Sequence, residues 1–379
     1  RGSTEYLIVG MDVAKDQHVA FFGTATGKTL FRRLVFDNNV EGFEKLLVQV
    51  EALKVQHVLG KVVFGLEPTA NYHKPLGEHL IRCGHKVVLV SGVAVKENRK
   101  SLDGRWDKND DKDAANVADL VSQGKCLFYE YAEMAVRDLR DLISLKRRLK
   151  RQEQGMRVRI RNGLLAKYFP ELDRYYERSE SGSLGIVRWC LDPSVIAGLE
   201  YGPFAQRVAP GKRRLSQESR LQAIWKLAVD SIGCEVGSVV EFEAKVMVEG
   251  LKQIREVIRA TEEKIEEICS QFPEYECLLS IPGFGPDVSA KVLGAIGDPF
   301  RFQNGQQVLK LAGLDLNAER SGKTSGAAVA VISKKGKADL RYALYQAAFI
   351  ASSKNRGFMV YYTHELRGRE RERGVKTKM

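Results

Sequence analysis

Between residues 5 and 128, short apolar, β-branched runs alternate with stretches of helical period, and this alternation narrows the fold more than any other feature of the chain. Tyr6–Val13 is an apolar run carrying one acid, Asp12, near its end. Gln17–Gly23 and Thr29–Phe36 are two further strand candidates, separated by a turn containing Thr26-Gly27. Val40–Leu53 has a helical period, and Lys61–Leu66 is a β-branched run that ends at Glu67. Tyr72–Arg82 is again helical, Lys86–Val90 reads as a strand, and Lys108–Gln123 as a helix.

Three hairpin-like strands followed by alternating α and β elements is the order of an RNase H-type α/β layer. Other α/β domains share the alternation. Actin-like ATPases and sugar kinases also begin with a strand bearing an Asp, but they need Gly-rich phosphate loops on later hairpins. None stands in residues 60–130, and the chain has no GxxxxGK[ST] segment.

Beyond residue 128 the pattern becomes helical. Leu139, Leu142, Leu145 and Leu149 share one helix face. The stretch 146–161 carries eight basic residues, Lys146, Arg147, Arg148, Lys150, Arg151, Arg157, Arg159 and Arg161, against the single acid Glu153. In Val239–Cys269, Leu251, Ile254, Ile258, Thr261, Ile265 and Ile268 step by 3 and 4, which is a coiled-coil seam. The two long helices suit pairing with each other or with another subunit, and so regular a seam favours self-association. The expected organisation is an α/β domain over 5–128, a helical, coiled-coil region over 129–272 with 169–236 unassigned, and a mainly helical unit over 273–379. The last of these ends in a basic tail, Arg367–Met379.

The chain holds 60 Lys and Arg against 48 Asp and Glu, a formal net charge of +12. That surplus points to a polyanionic partner, with nucleic acid ahead of an anionic membrane surface. Much of it falls on 146–161 and on the tail, and the first of these suits an RNA or DNA backbone. An apolar fraction of 44% with 28% charged residues argues against wholesale disorder. No apolar run approaches the ~20 residues that span a bilayer. The start shows no signal-peptide pattern, Arg1-Gly2-Ser3 reads as a leftover tag, and a cytoplasmic protein with no membrane partner is expected. The six cysteines, Cys83, Cys126, Cys190, Cys234, Cys269 and Cys277, form no CxxC pair. They read as reduced and buried, with neither a disulfide frame nor zinc.

Four carboxylates stand out by position. Asp12 and Glu67 each close an apolar strand, where the backbone is rigid. Asp110 and Asp113 open a helix at i, i+3 spacing and so share one face, from which Asp111 points away. Single acids of this kind are commonly solvated or serve as helix N-terminal charges. Four brought together repel, and a hard divalent cation such as Mg²⁺ or Mn²⁺ relieves that repulsion. In phosphodiester chemistry such an ion polarises the phosphate and activates the attacking hydroxyl.

In the last unit, Leu279-Ser280-Ile281-Pro282-Gly283-Phe284-Gly285 precedes a helix, in the manner of a helix-hairpin-helix turn. Gly283 and Gly285 permit a tight turn whose amides can bind a DNA phosphate. Further on come Leu311-Ala312-Gly313-Leu314, the loop Arg320-Ser321-Gly322-Lys323-Thr324-Ser325-Gly326, and Ser333-Lys334-Lys335-Gly336 before Leu340-Arg341. A serine in such a loop can approach a scissile phosphate while Arg320 and Lys323 stabilise the developing charge. Spacing alone does not choose Ser321 over Ser325 or Ser333.

Taken in order, these pieces resemble the insertion-sequence-110 family of transposases, also described as bridge-RNA-guided recombinases. The resemblance rests on Gly10-Met11-Asp12-Val13-Ala14-Lys15, on Glu67-Pro68-Thr69-Ala70, on Lys108-x-Asp110-x-x-Asp113-Ala114, and on the Ile-Pro-Gly-x-Gly, Ala-Gly-Leu, Ser-Gly, Ser-Lys-x-Gly and Leu-Arg series. It implies a RuvC-like domain whose DEDD tetrad falls on Asp12, Glu67, Asp110 and Asp113, and a C-terminal transposase domain whose catalytic serine falls on Ser321. It further implies Mg²⁺, a covalent phosphoserine intermediate, donor and target DNA, an element-encoded guide (bridge) RNA, and tetramers with sites shared between subunits. Sequence choice would then be delegated to RNA pairing. Asn109 stands where the family usually has Thr, and 169–236 is longer than in compact members. The family's chain usually continues as helix beyond where this one ends. The alternative is a junction-type nuclease or invertase that works through the carboxylates alone, without a guide.

Overall fold

A computed structural model describes residues 4–102, 110–129, 131–173, 187, 191–317 and 331–369. The chain forms two compact units, residues 1–131 and 132–379.

The first unit is built on a six-stranded sheet. Its strands are β1 (Tyr6–Val13), β2 (Gln17–Thr24), β3 (Thr29–Asp37), β4 (Lys61–Leu66), β5 (Lys86–Leu89) and β6 (Leu127–Phe128), in spatial order β3-β2-β1-β4-β5-β6. β1, β2 and β3 run antiparallel as a meander, β4 and β5 extend the sheet in parallel from β1, and β6 closes it antiparallel. This mixed layer is consistent with the expected RNase H-like domain.

Two-residue alternation sends Leu7, Val9 and Met11 to one face, where they pack with Phe36, Phe43, Leu46 and Phe64, together with α1 (Val40–His57) and α2 (His73–Arg82). Ile8 goes to the other face with Val88, Val90, Val95, Val117 and Val121, beneath α3 (Gly92–Leu102) and α4 (Asp110–Ser122). Asn39 caps α1, its Oδ1 accepting from Gly42 N at 2.8 Å. The helix ends on Val58, whose φ of 54° is left-handed and unusual for a β-branched residue. The apolar pattern of the sequence does not reveal α3, because that helix is mostly polar, with Val95 as its buried apolar anchor.

The second unit begins with α5 (Met134–Arg159), which runs on through a π-helical turn at Ile160–Leu165. The described residues after it include three short helices, α6 (Pro193–Ala197), α7 (Tyr201–Val208) and α8 (Leu215–Val229). Then comes the 32-residue α9 (Ser238–Cys269). Arg255 Nε donates to Glu153 Oε1 at 2.9 Å, and Lys146 Nζ meets Glu262 Oε1 at 2.8 Å, so α5 and α9 lie antiparallel. The coiled-coil seam is thus used inside the chain, where the sequence favoured self-association. In the stretch left unassigned, Phe204, Leu221 and Ile224 form a core with Ile160 and Leu165 of the π turn and with Val248 and Leu251 of α9.

The C-terminal part of this unit contains α10 (Pro273–Leu279), α11 (Pro286–Ile296), α12 (Gly305–Ala312), the two-stranded β7 (Leu316–Asn317) and β8 (Val331–Ile332), α13 (Ala338–Lys354) and α14 (Arg356–Leu366). Most of the basic tail, 370–379, lies outside the described residues, as does Cys190. Among the described residues no helix is long and apolar enough to cross a membrane. The cysteines need one correction. Cys83, Cys234 and Cys277 are exposed, Cys126 is half-buried and Cys269 is buried, because the exposed positions fall on helix ends, helix surfaces and loops. All of these are free thiols.

Candidate functional site

The carboxylates of the first unit are positioned by two glycines. Gly10 and Gly65 are direct partners in the parallel β1–β4 register, and α4 packs over both. A Cβ on Gly10 would collide with the carbonyl oxygen of Ala114 and the amide of Ala118, and one on Gly65 would stand 2.6 Å from Val121 Cγ2. The missing side chains let the α4 backbone settle onto the sheet. Two residues further along β1 lies Asp12, on the same face as Gly10. The paired register ends at Met11 and Leu66, and Asp12 and Glu67 are the next residue on each chain, Glu67 lying just past the end of β4. Both acids are half-buried.

The same close seating brings the first turns of α4 to this end of the sheet. Asp113 precedes Ala114, which meets Gly10, and it is 3% exposed. Its Oδ1 accepts from Arg99 Nη2 of α3 in a short ion pair. Asp110 opens α4, and its side chain lies outside the described residues. Glu67 is accommodated by a third glycine, Gly92 at the start of α3, where a Cβ would stand 2.7 Å from its Oε1. The acids are legible in the sequence, whereas the roles of Gly10, Gly65 and Arg99 emerge only in the fold. The repeated Gly-x-acid spacing of Gly10-Met11-Asp12 and Gly65-Leu66-Glu67 is the signal that marks the two glycines.

Among the described residues no three His, Cys, Asp or Glu side chains already stand at metal-holding spacing. The donor set still fits a hard divalent ion: it is all carboxylate oxygen, and the buried Asp113 already holds a cation, the Arg99 guanidinium.

The basic face of α5 divides in two. Lys146 is bonded to Asp287 (2.7 Å) and Glu262 (2.8 Å), Arg147 to Asp339 (2.8 Å), Lys150 to Glu153 (3.4 Å) and Arg161 to Asp173 (2.6 Å). Burial works against the charges of Lys146 and Asp287. Their mutual hydrogen bond, with Glu262 and Lys291 as further partners, outweighs it, holding the amine above and the carboxyl below their ordinary ranges. Arg148, Arg151 and Arg159 are exposed, and Arg157 is half-buried. A cavity of about 500 Å³ opens beside these pairs, lined by Lys146, Arg147, Lys150, Lys291 and Tyr342 among others. From Tyr342 an aromatic row continues along α13, with ring centroids 6.4 Å apart to Tyr345 and 6.3 Å from there to Phe349. The cavity's cations are matched by Glu262, Asp287 and Asp339 in the same lining, so the exposed rings of the row stand beside a charge-paired surface. The i, i+3, i+7 spacing of these aromatics is the sequence signal for this row, and it does not by itself distinguish a surface row from a core stripe.

In the C-terminal part, Gly283 has φ 102° and packs against the Ala347 carbonyl of α13, so its lack of a side chain serves packing. Gly285 caps α11 with open space around it. The other motif pieces meet at one point. Lys334 N donates to Gly313 O (2.9 Å), Lys337 N to Leu311 O (2.7 Å), and Arg341 Nη1 to Ala312 O (2.8 Å). Ser333 Oγ donates to Asp315 Oδ1 at 2.6 Å, which gives that serine a structural task. Lys334 and Lys335 are exposed beside it. These bonds tie together the two ends of the segment between β7 and β8. Arg320, Ser321, Lys323 and Ser325 lie in that segment, outside the described residues.

Both halves of this arrangement have counterparts among known proteins. Residues 9–170 match the DEDD transposase family of IS110 elements, and residues 275–363 match the transposase IS116/IS110/IS902 family. The chain is 25% identical over 392 aligned positions to the insertion element IS110 uncharacterized 43.6 kDa protein of Streptomyces coelicolor, covering 97% of this chain and 88% of that one.

Proposed function

The chain belongs to the IS110 family of transposases, enzymes that cleave and recombine DNA, and from that premise we propose that it is an RNA-guided recombinase working through a covalent phosphoserine at Ser321. The observation that supports the metal part of this reading is that Asp12 and Glu67 each follow the last paired residues of β1 and β4, Met11 and Leu66, with the buried Asp113 on the helix turn that Gly10 admits. Asp12, Glu67, Asp110 and Asp113 would hold Mg²⁺, or Mn²⁺ in its place. Held by those carboxylates, such an ion would supply Lewis-acid polarisation of the scissile phosphate.

The chain's own groups do the rest. Ser321 Oγ attacks the phosphorus, an Oγ–P bond forms, and one backbone P–O bond breaks to leave a strand-end hydroxyl. Arg320 and Lys323 neutralise charge on the phosphate. The hydroxyl of a partner strand then attacks the phosphoserine, restores a phosphodiester and returns the proton to Ser321, so the exchange needs no hydrolysed break. Arg148, Arg151, Arg157 and Arg159 grip the nucleic-acid backbone, with Lys334, Lys335 and the Gly285 turn as further phosphate contacts. The guide RNA supplies sequence choice by pairing, and tetramers bring donor and target DNA together.

The test is a suicide DNA substrate incubated with the wild type and Ser321→Ala, followed by denaturing gels and by sequencing of RNA that co-purifies. A serine-linked adduct lost in the variant, with one discrete structured RNA, is expected. Free 5′-phosphate ends with no adduct, formed equally by Ser321→Ala, would instead identify a metal-dependent junction nuclease. Heterogeneous cellular RNA would remove the guide from the reading.

A further inference from the structure

The α3 helix touches two of the four carboxylates. Its first residue, Gly92, makes room for Glu67, and two turns later, ~10.5 Å along the axis, Arg99 pairs with Asp113. Asp113 is only 3% exposed, and the cation that meets it there is Arg99.

The pair is incomplete. Arg99 reaches Asp113 through Nη2, while its Nε is buried with no hydrogen-bond partner. The same chain shows what a committed pair looks like: Arg161 grips Asp173 with Nε at 2.6 Å and Nη2 at 2.8 Å, the two-pronged geometry that suits guanidinium and carboxylate. Nor is Arg99 needed to hold α3 in place. The neighbouring Asn98 Nδ2 donates to Asn116 Oδ1 at 3.1 Å and to Asp119 Oδ2 at 2.9 Å, both on α4. Val95 in the core and Asn98 at its edge thus dock the helix, and the residue beside Asn98 carries the charge.

We propose that Arg99 is an exchangeable counter-cation for Asp113: it neutralises the buried carboxylate while no metal is bound and yields it to a divalent ion when one binds. A guanidinium and a divalent cation repel at the same oxygen, so the two compete, and Arg99 sets how tightly the site takes its metal. Arg99 is a positioning residue in this scheme, and the inference rests on the metal reading proposed above.

The experiment is a titration of the full chain with Mn²⁺ alone, following free Mn²⁺ by electron paramagnetic resonance. Thermal melting with and without saturating Mn²⁺ runs alongside. Arg99→Gln removes the charge and should tighten Mn²⁺ binding by about tenfold. It should also melt lower than wild type without metal and gain more from Mn²⁺. Arg99→Lys keeps the charge and should stay near the wild-type affinity. If Arg99→Gln binds Mn²⁺ no more tightly, and melts lower by the same amount with and without it, Arg99 is a structural residue and the proposal fails. Asp12→Asn separates the two readings. If wild type binds Mn²⁺ and Asp12→Asn weakens it, a failure of Arg99→Gln to tighten binding overturns the exchange alone. If wild type takes up no Mn²⁺, the metal reading falls and this inference with it.

Discussion

Gly10 of β1 and Gly65 of β4 stand opposite each other in a parallel register, and α4 packs directly on the pair. The two contacts differ in kind. At Gly10 the neighbours are the backbone of Ala114 and the amide and Cβ of Ala118, whereas at Gly65 they are methyl groups of Val121 and Val117. Backbone cannot rotate away, and a valine can. Gly10→Ala should therefore cost about 3 kcal/mol and Gly65→Ala about 1 kcal/mol, as overpacking does. Urea denaturation of the two variants would check this order, and equal losses would count against the seating described.

Asp12→Asn and Glu67→Gln keep shape and remove charge. Each should lower DNA strand cleavage by about a hundredfold or more, which is ~3 kcal/mol of transition-state stabilisation. The melting temperature should stay level, because these half-buried acids end the strands without filling the core. Single-turnover cleavage beside a thermal melt measures both.

The division of the basic face of α5 separates stability from binding. Lys146→Met should destabilise by about 1–2 kcal/mol, since its partners Glu262 and Asp287 are about half exposed and screened. It should leave the salt dependence of DNA binding unchanged. Arg148→Ala or Arg151→Ala should do the reverse, lowering the slope of log K against log salt by about 1 for each phosphate left without its cation. Filter binding at several salt concentrations distinguishes them.

His18 is wholly buried between Phe36 and Phe43, and burial pushes its pKa down, with the nearby Asn38 side chain opposing. Burial likewise lowers His73 and His85. A lowered histidine binds its proton more readily in the unfolded chain. Stability is therefore full above the ordinary histidine range and is lost as pH falls through it. Denaturant midpoints should drop between about pH 7 and pH 5. His18→Phe should flatten part of that drop.

Val58 holds a left-handed conformation at the end of α1 and is 90% exposed. Glycine removes the strain at the cost of a more flexible unfolded chain, so Val58→Gly should raise stability by about 0.5–1 kcal/mol. A melting temperature lower than wild type would refute the strain.

Much of the first unit is legible in the sequence because apolar periodicity writes strands and amphipathic helices directly into it. Tyr6–Val13 and Lys61–Leu66 appear at the residues expected. Asp12 and Glu67 are visible because each stands at the end of an apolar run, and Asp110 and Asp113 because they open a helix at i, i+3 spacing. Arg99 is invisible because its meaning lies in a pairing fourteen residues away, on another helix. The α5–α9 pairing is ambiguous for a related reason, since a seam looks alike whether its partner lies in the same chain or in another. The aromatic row of Tyr342, Tyr345 and Phe349 has the spacing of a core stripe, and only its exposure sets it apart.

The two helices that flank the acidic end of the sheet are attached in different ways. α4 is seated backbone against backbone at Gly10, while α3 is attached by side chains, the buried Val95 and the hydrogen-bonded Asn98, with Arg99 paired to Asp113. The acidic end of the sheet is thus flanked by one helix seated through its main chain and one attached through its side chains.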